Sequence, residues 1–521
     1  MAFGSDAPFK WRNFWACLAI ATGQIAWGYP SEIIGPTLGI PAFLKYMGLE
    51  DPRTAGDLIG ATNGVYQAGA FFGIIANLFV MERWGRKAGV VAASVVSIFG
   101  STLVAAAQNI AMFIVFRFFA GAGAYALCVV LPIYTAEIAA PELRGLFVGL
   151  NGVMCGFGYS IAAYMGLAFS YSSNETVQWR APLALAVPWP ILMLVLVYYL
   201  PESPRYLLLK NRNEEAWKVV SSLHSTKNDA DQVFAREEFY QMQKQTELDR
   251  TIGSSWLKLF TKPSNQKRLM VGMGFAFVGQ STGDLVINNY GPTFYSALGF
   301  NPKDQLILQA AWVSVSIFGN LVGALLLDRV GRRPIMLFAV GACVICLSIE
   351  AAMVAEYATF HDGRTSGGSN KAGLSAGVFA LFLFEAVYTS GIDVAGFVFF
   401  AEIWPNHDRV RGVALSWLVF VLTDLVYLQV TATAFAHIGW RYFLVFIVVS
   451  AVGWVWMWFC IPETRGRPLE EMAELFGDKD EVMVYLRDLH IDEETHEVVE
   501  DGPRKVAQVE GEAKNIEHVH V

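Results

Sequence analysis

Glu82-Arg83-Trp84-Gly85-Arg86-Lys87 returns in the second half of the chain as Asp328-Arg329-Val330-Gly331-Arg332-Arg333. Each copy places an acid, a glycine and a basic cluster between two long apolar runs, which is how a short loop joins two membrane helices at a charged interface. Two more patterns repeat in the same order. Glu137-Ile138-Ala139-Ala140-Pro141-Glu142-Leu143-Arg144-Gly145 parallels Glu402-Ile403-Trp404-Pro405 with Arg409, Arg411 and Gly412, and Pro201-Glu202-Ser203-Pro204-Arg205 parallels Pro462-Glu463-Thr464-Arg465-Gly466. Repetition in one order means a parallel repeat of two halves with six spans each.

Composition agrees with a membrane setting, because 521 residues at 54% hydrophobic and 16% charged lie far from a soluble mix. Windows of about 20 apolar residues, enough to cross a bilayer core, fall near 14–34, 64–81, 88–108, 111–131, 146–168 and 183–200, then near 269–290, 306–327, 334–354, 375–400, 412–435 and 440–461. The expected fold is therefore an all-α membrane protein of twelve transmembrane helices in two pseudo-symmetric six-helix halves. The expected divisions are a cytosolic N-terminus at 1–13, the first half at 14–200, a cytosolic helical linker at 201–268, the second half at 269–461 and an acidic cytosolic tail at 462–521. Lys10 and Arg12 precede the first span without a small-residue cleavage site, which reads as no cleaved signal peptide.

Basic residues set the expected orientation. Short loops on one side, with the N-terminus, hold eleven of them, including the Arg83–Lys87 and Arg329–Arg333 clusters, against seven on the other side. Both termini are thereby expected in the cytosol, with the plasma membrane as the expected location. The net charge of −8 is concentrated in 462–521, where 17 acidic and 7 basic side chains give −10. That tail reads as a solvated, partly disordered segment. The six cysteines lie in or beside spans and suggest neither disulfides nor a metal site. No phosphate-binding loop, zinc spacing or nucleophile triad is present, which argues against an ATP-driven pump or a hydrolase; no enzyme, cofactor, metal or nucleic-acid role is expected.

Charged residues at helix ends can pair when one side of a transporter is closed, and must separate when it opens. Glu82, Arg83, Arg86, Glu137, Arg144 and Glu202 form one candidate cytoplasmic gate. Asp328, Arg329, Arg332, Arg333, Glu402, Arg409 and Glu463 form its counterpart. The alternative is that they only anchor helices at the headgroups.

These motifs resemble the sugar porter family of the major facilitator superfamily, in its fungal-type branch, from about residue 20 to 476. Arg117 with Gly121 and Gly123, Pro132-Ile133-Tyr134-Thr135-Ala136-Glu137, Trp179-Arg180-Ala181-Pro182, Gln280 with Thr282-Gly283, and Tyr290-Gly291-Pro292 join the repeats as an ordered set. The resemblance implies alternating access to a solute. It also shows departures, since the family's sugar-holding amides and tryptophan are matched here by Gly152, Gly279-Gln280, Leu285 and Phe397, and only Gln280 keeps its type. Loss of buried amide contacts weakens recognition of a fully hydroxylated hexose.

A candidate site is drawn instead from Gln280, Asp284 and Asn288, spaced i, i+4, i+8 on one helix face. Asn289, Tyr290, Asn151, Asp393 and Phe397 extend it. The alternative is that some of these residues pair helices. Family members coupled to protons carry an acid on the first span, whereas this chain reads Gly28-Tyr29-Pro30-Ser31-Glu32. Glu32 is the nearest candidate partner for Arg117, and Asp424 is a further coupling candidate; without such an acid, the protein is a facilitator. Asn174-Glu175-Thr176 fits an N-glycosylation site between the fifth and sixth spans. Gly363 to Gly373 reads as a loop. Three functions stay open: uptake of a sugar, polyol or related small polar solute, with or without proton symport; export of a less hydroxylated metabolite; or a transport-deficient nutrient sensor. The expected partners are that solute, protons and the lipid bilayer, and the expected state is a monomer.

Overall fold

The computed structural model describes residues 10–49, 52–224, 232–253, 255–297, 300–357, 359–361, 364–366, 371–478, 484, 489–491 and 498–500. Eleven helical segments in it are long and apolar enough to cross a membrane. A first span, made of the pieces Trp11–Thr22, Ile25–Glu32 and Ile34–Leu38, completes twelve. Its last two pieces carry Pro30 and Pro36, which lack the amide that would continue a helix ladder. The large side chains left exposed, such as Phe318 at 69% and Phe459 at 80%, mark the lipid-facing surface.

The six spans of the first half end at Tyr199 and those of the second begin at Pro263. The halves meet where the second span packs on the eleventh and the fifth on the eighth. Several spans run past their apolar windows. The second covers Gly56–Trp84, and the sixth starts at Glu175 and is interrupted before Pro188. Asn174 caps that start, its Oδ1 accepting from the amides of Thr176 and Val177 at 3.0 and 3.4 Å.

Two interruptions position the interior. The seventh span is two helices, Pro263–Ser281 and Asp284–Ala297, separated at Gly283, whose φ of +84° suits glycine. The tenth consists of Lys371–Tyr388, a π-helical turn Thr389–Asp393, and Val394–Glu402. Inserted turns of that kind re-aim side chains and recur at functional sites.

Between the halves lie helices Pro204–Leu209, Asn213–His224, Val233–Ile252 and Trp256–Thr261. The start of the acidic tail differs from the solvated reading: Leu469–Phe476 is a 3-10 helix that buries Leu469, Met472, Ala473 and Phe476. Its apolar positions share one face, so the segment docks although it is acidic. Beyond it only Gly477, Asp478, Val484 and the antiparallel ribbon of Leu489–Ile491 with Val498–Glu500 are described, and the rest of the tail lies outside the described residues. Within the stretch read as a loop, Arg364–Ser366 pairs antiparallel with Thr359–His361.

Candidate functional site

A narrow cavity within the second half is lined by Phe275 and Gln280 of the seventh span, Tyr388, Asp393, Phe397 and Phe400 of the tenth, and Trp417 and Phe420 of the eleventh. The π turn brings Asp393 to this lining. Gln280 donates to Tyr388 Oη at 3.2 Å, and Asn320 of the eighth span donates to Asp393 Oδ2 at 2.9 Å. Trp27 of the first span lies against the same aromatic group, with ring centroids 6.2 Å from Phe397 and 6.1 Å from Trp417. Its indole nitrogen has no partner.

Asn320 answers part of the question left by the missing fifth-span amide. A Cβ built on Gly152 would stand 2.5 Å from Asn320 Oδ1. The space beside Gly152 is thus taken by an amide from the other half. That oxygen has no hydrogen-bond partner.

The remaining sequence candidates divide. Gln280, Asp393 and Phe397 share the cavity. Asp284 and Asn288 stand beyond the Gly283 break, so the three-residue stripe spans two helices rather than one face of a continuous helix. Gln309 of the eighth span donates to the Asn288 carbonyl at 2.9 Å and to Glu32 Oε1 at 3.3 Å, joining the first span to the seventh. Tyr290 donates to the Leu428 carbonyl at 3.3 Å, and Asn289 to Leu285 of its own helix at 2.9 Å. Asn151 is enclosed within the first half, where Nδ2 donates to the Val148 carbonyl at 2.8 Å and Oδ1 accepts from Gln24 at 3.3 Å. Asp424 is buried, with Oδ2 unpartnered.

Arg117 and Glu32 are not an ion pair. Arg117 donates to the Pro30 carbonyl at 3.3 Å and lies 4.2 Å from the Tyr66 ring centroid. A bent backbone exposes a free carbonyl, and an aromatic face accepts a cation, so the guanidinium is accommodated without a carboxylate.

The charged clusters at the other end form two matching sets. In the first half Arg86 pairs with Glu137 at 2.7 Å, Ser203 donates to Glu137 at 2.5 Å, and Glu202 accepts the amides of Arg86 and Lys87 at 3.1 and 3.3 Å. In the second, Arg332 pairs with Glu402 at 2.8 Å, Thr464 donates to Glu402 at 2.8 Å, and Glu463 accepts the amides of Arg332 and Arg333 at 2.9 and 3.1 Å. Gly85 and Gly331, at φ +98° and +107°, let those carboxylates approach the chain.

At this end three contacts cross between the halves: Arg409 reaches Glu137 at 3.7 Å, Arg411 binds Glu82 at 2.6 Å, and Asp328 accepts the Leu146 amide at 2.9 Å. A fourth, Arg205 to Glu470 at 2.8 Å, joins the segment between the halves to the tail. Arg144 is buried beside them. Arg83 and Arg329 are exposed at the edge and join no ion pair among the described residues. Burial raises the Glu202 carboxyl above its usual range despite the amides and Arg86 that favour its charge.

Sequence reasoning missed Trp27, Asn320, Gln309, Tyr388, Glu385 and the Arg411–Glu82 pair. Glu385 sits inside the apolar run 375–400, where averaging over a window conceals one acid; the others needed the relative rotation of distant helices.

Twelve spans in two similar halves, with an aromatic and polar cavity abutted by Trp27 of the first span and paired charges at one end, define a transporter of the major facilitator class. The chain belongs to the family described as Sugar (and other) transporter, which matches residues 16–476. It is 28% identical over 469 residues to the MFS-type transporter criB of Aspergillus cristatus, covering 88% of this chain and 94% of that one. It is also 28% identical to a probable quinate permease of Aspergillus fumigatus, over 100% of this chain and 98% of the relative. Among solved structures, the proton:xylose symporter XylE bound to 6-bromo-6-deoxy-D-glucose superposes with a TM-score of 0.78 at 19% identity, covering 90% of this chain and all of XylE. The inward-open form of XylE from E. coli gives 0.65 at 18% identity, over 89% of this chain and 99% of that one. The protein is a multi-pass membrane transporter of a small polar solute, not an enzyme.

Proposed function

We propose that the chain carries an uncharged, partly hydroxylated solute, such as a sugar or polyol, across the plasma membrane by alternating access with proton symport, as a monomer with both termini in the cytosol. The carrying observation is the cavity among the seventh, tenth and eleventh spans, where Gln280 and Asp393, the latter held by Asn320, supply a few polar groups within a wall of six aromatic rings. Rings stack on the apolar face of a sugar ring, and the amides and carboxyl meet its hydroxyls. Asp393 selects against a carboxylate solute, because two like charges about 4 Å apart repel by about 4 kcal/mol near a protein surface. The name of the quinate permease relatives therefore suggests the size and hydroxyl pattern of the solute more than its charge. Asp284, Asn288, Asn289 and Tyr290 belong to the segment that closes over the solute, and the matched charge clusters serve as the opposite gate. XylE, titled a proton:xylose symporter, supplies the precedent for coupling.

A second reading, export of a less hydroxylated metabolite, is favoured by the aromatic share of the wall. A thermal-shift screen of the purified protein against D-xylose, polyols, quinate and aromatic alcohols separates the two, since a ligand at 100 times its Kd adds about 2.7 kcal/mol to folded-state stability. Stabilisation by a neutral polyol or sugar supports the uptake reading. Stabilisation by quinate alone overturns the selection against carboxylates.

A further inference from the structure

The approach to the seventh span carries charge of one sign, since positions 251–268 hold Lys258, Lys262, Lys267 and Arg268 and no acid. Within it the helix Trp256–Thr261 turns Leu259 inward, where it is fully buried, and leaves Leu257 73% and Phe260 50% exposed, with Trp256 exposed beside them. Successive residues of a helix are rotated by about 100°, so Trp256, Leu257 and Phe260 fall on one face. Three large apolar side chains on one exposed face mark a contact surface.

The position of the helix names the contact. It leads through Lys262 into Pro263–Ser281, where Met270 and Phe277 are exposed like the other lipid-facing side chains. The Trp256 ring centroid lies 5.1 Å from the Arg411 guanidinium, near the start of the eleventh span. Arg411 in turn donates to Glu82 through Nε and Nη2 at 2.6 and 3.2 Å, next to the exposed Trp84 that ends the second span. The helix therefore stands at the depth where spans end, the headgroup level at which Trp settles. Lys262 and Arg268 both pair with Asp478 at 3.1 Å. Lys258, whose Nζ meets the Ile252 carbonyl at 2.8 Å, and Lys267 are exposed, and stems of that length carry an ammonium group out to a phosphate.

We propose that this helix is an interfacial anchor whose partner is the lipid surface. Trp256, Leu257 and Phe260 sit in the boundary between headgroups and acyl chains, and Lys258 and Lys267 select a leaflet with anionic headgroups. Because Trp256 stacks on the cation that joins the two halves, the bilayer steadies Arg411 against Glu82 and favours closure at this end.

The test uses full-length protein carrying Cys460→Ser, since the other five cysteines are buried, with each variant checked for a monodisperse profile. Nitroxide labels are placed at Leu257→Cys, at Phe260→Cys and, as an aqueous reference, at Lys218→Cys, which is exposed on the helix Asn213–His224. Accessibility to oxygen and to a water-soluble nickel chelate is read in nanodiscs of phosphatidylcholine with phosphatidylserine. Positions 257 and 260 should favour oxygen and exclude nickel severalfold relative to 218. Equal nickel exposure at all three overturns the lipid seat and leaves the face to a protein partner. Lys258→Gln combined with Lys267→Gln should lose most of the rise in thermal midpoint that phosphatidylserine gives the parent over phosphatidylcholine alone. No rise in the parent, or an equal rise in the variant, overturns the selection of anionic lipid. A second label at Arg83→Cys, paired with that at 260, reports the distance from the anchor to the end of the second span. Trp256→Ala should broaden that distance, and an unchanged distribution overturns the link through Arg411.

Discussion

At the residue scale, the decisive position is Gly152 on the fifth span, with its answer in Asn320. Because a Cβ at position 152 would fall 2.5 Å from Asn320 Oδ1, the two positions compete for one volume. Gly152→Gln is expected to impair solute binding and folding by itself, through overpacking of about 1–3 kcal/mol. Asn320→Ala is expected to weaken binding about 5- to 100-fold, since it removes a polar contact worth roughly 1–3 kcal/mol and leaves Asp393 without its donor. Combining the two should recover part of the loss, giving a coupling of about 1 kcal/mol or more in a double-mutant cycle on solute-induced thermal stabilisation. Strict additivity would show that the two side chains do not share the space. Gln280→Ala should also reduce affinity, whereas Asn151→Ala should act on stability of the first half, where its bonds lie. Asn151 shows why a polar residue in a span is ambiguous in sequence. The type identifies a constraint, and only the helix rotation tells whether solute or a neighbouring helix meets it.

At the element scale, the breaks matter as much as the helices. The two spans most concerned with the cavity, the seventh and tenth, both have their regular hydrogen bonding interrupted, at Gly283 and at Thr389–Asp393. Gly283→Ala places a side chain at φ +84° and 2.9 Å from the Phe446 ring. It is expected to lower stability by roughly 1–3 kcal/mol and to slow transport in a vesicle flux assay while membrane insertion persists. The sequence exposed the spans and the repeat, because a twenty-residue apolar run and the Glu82–Lys87 and Asp328–Arg333 copies are local features. It concealed the π turn, because one inserted residue leaves no compositional trace, and so the partnership of Asp393 with Asn320 was not legible. The closing charges were half legible. Arg86, Glu137, Arg332 and Glu402 followed from the repeat, whereas Arg411–Glu82 joins residues that no repeat relates. Arg86→Ala and Arg332→Ala each strand a buried carboxylate, a loss of about 3–5 kcal/mol when a buried pair is broken. Both should raise cysteine labelling of the interior from the side of the charge clusters; unchanged labelling in both would reduce the clusters to anchors for the helices.

At the scale of the whole molecule, the linker and the start of the tail form a latch beneath both halves. Arg205 and Glu470 join at 2.8 Å, Arg205 also donates to the Glu137 carbonyl at 2.8 Å, and His224 contacts Glu238 while its other ring nitrogen meets the Ile138 carbonyl at 2.8 Å. One network therefore connects tail, linker and the end of the fourth span, so opening this side must disturb it. Burial alone would raise the carboxyls of Glu470 and Glu238, but Arg205, Arg144 and Arg409 outweigh it at Glu470, and His224, Arg205 and Lys10 at Glu238, holding both below 4.5. The sign follows from linkage: a depressed carboxyl contributes stability that is full above its unfolded value and is lost as pH falls through its folded value. The latch should thus be constant at neutral pH and release only as pH falls below the ordinary glutamate range. Glu470→Gln removes one charge of the buried pair, so it should release the latch at neutral pH, by about 3–5 kcal/mol. The spin–spin distance between labels on the linker helix Val233–Ile252 and the tail helix Leu469–Phe476 reads both effects. It should lengthen on acidification in the parent and be long at every pH in Glu470→Gln, because the group whose protonation drives the change is gone. A distance that lengthens with acid equally in both would show that other groups govern the docking, and that Glu470 is only accommodated by this end of the bundle.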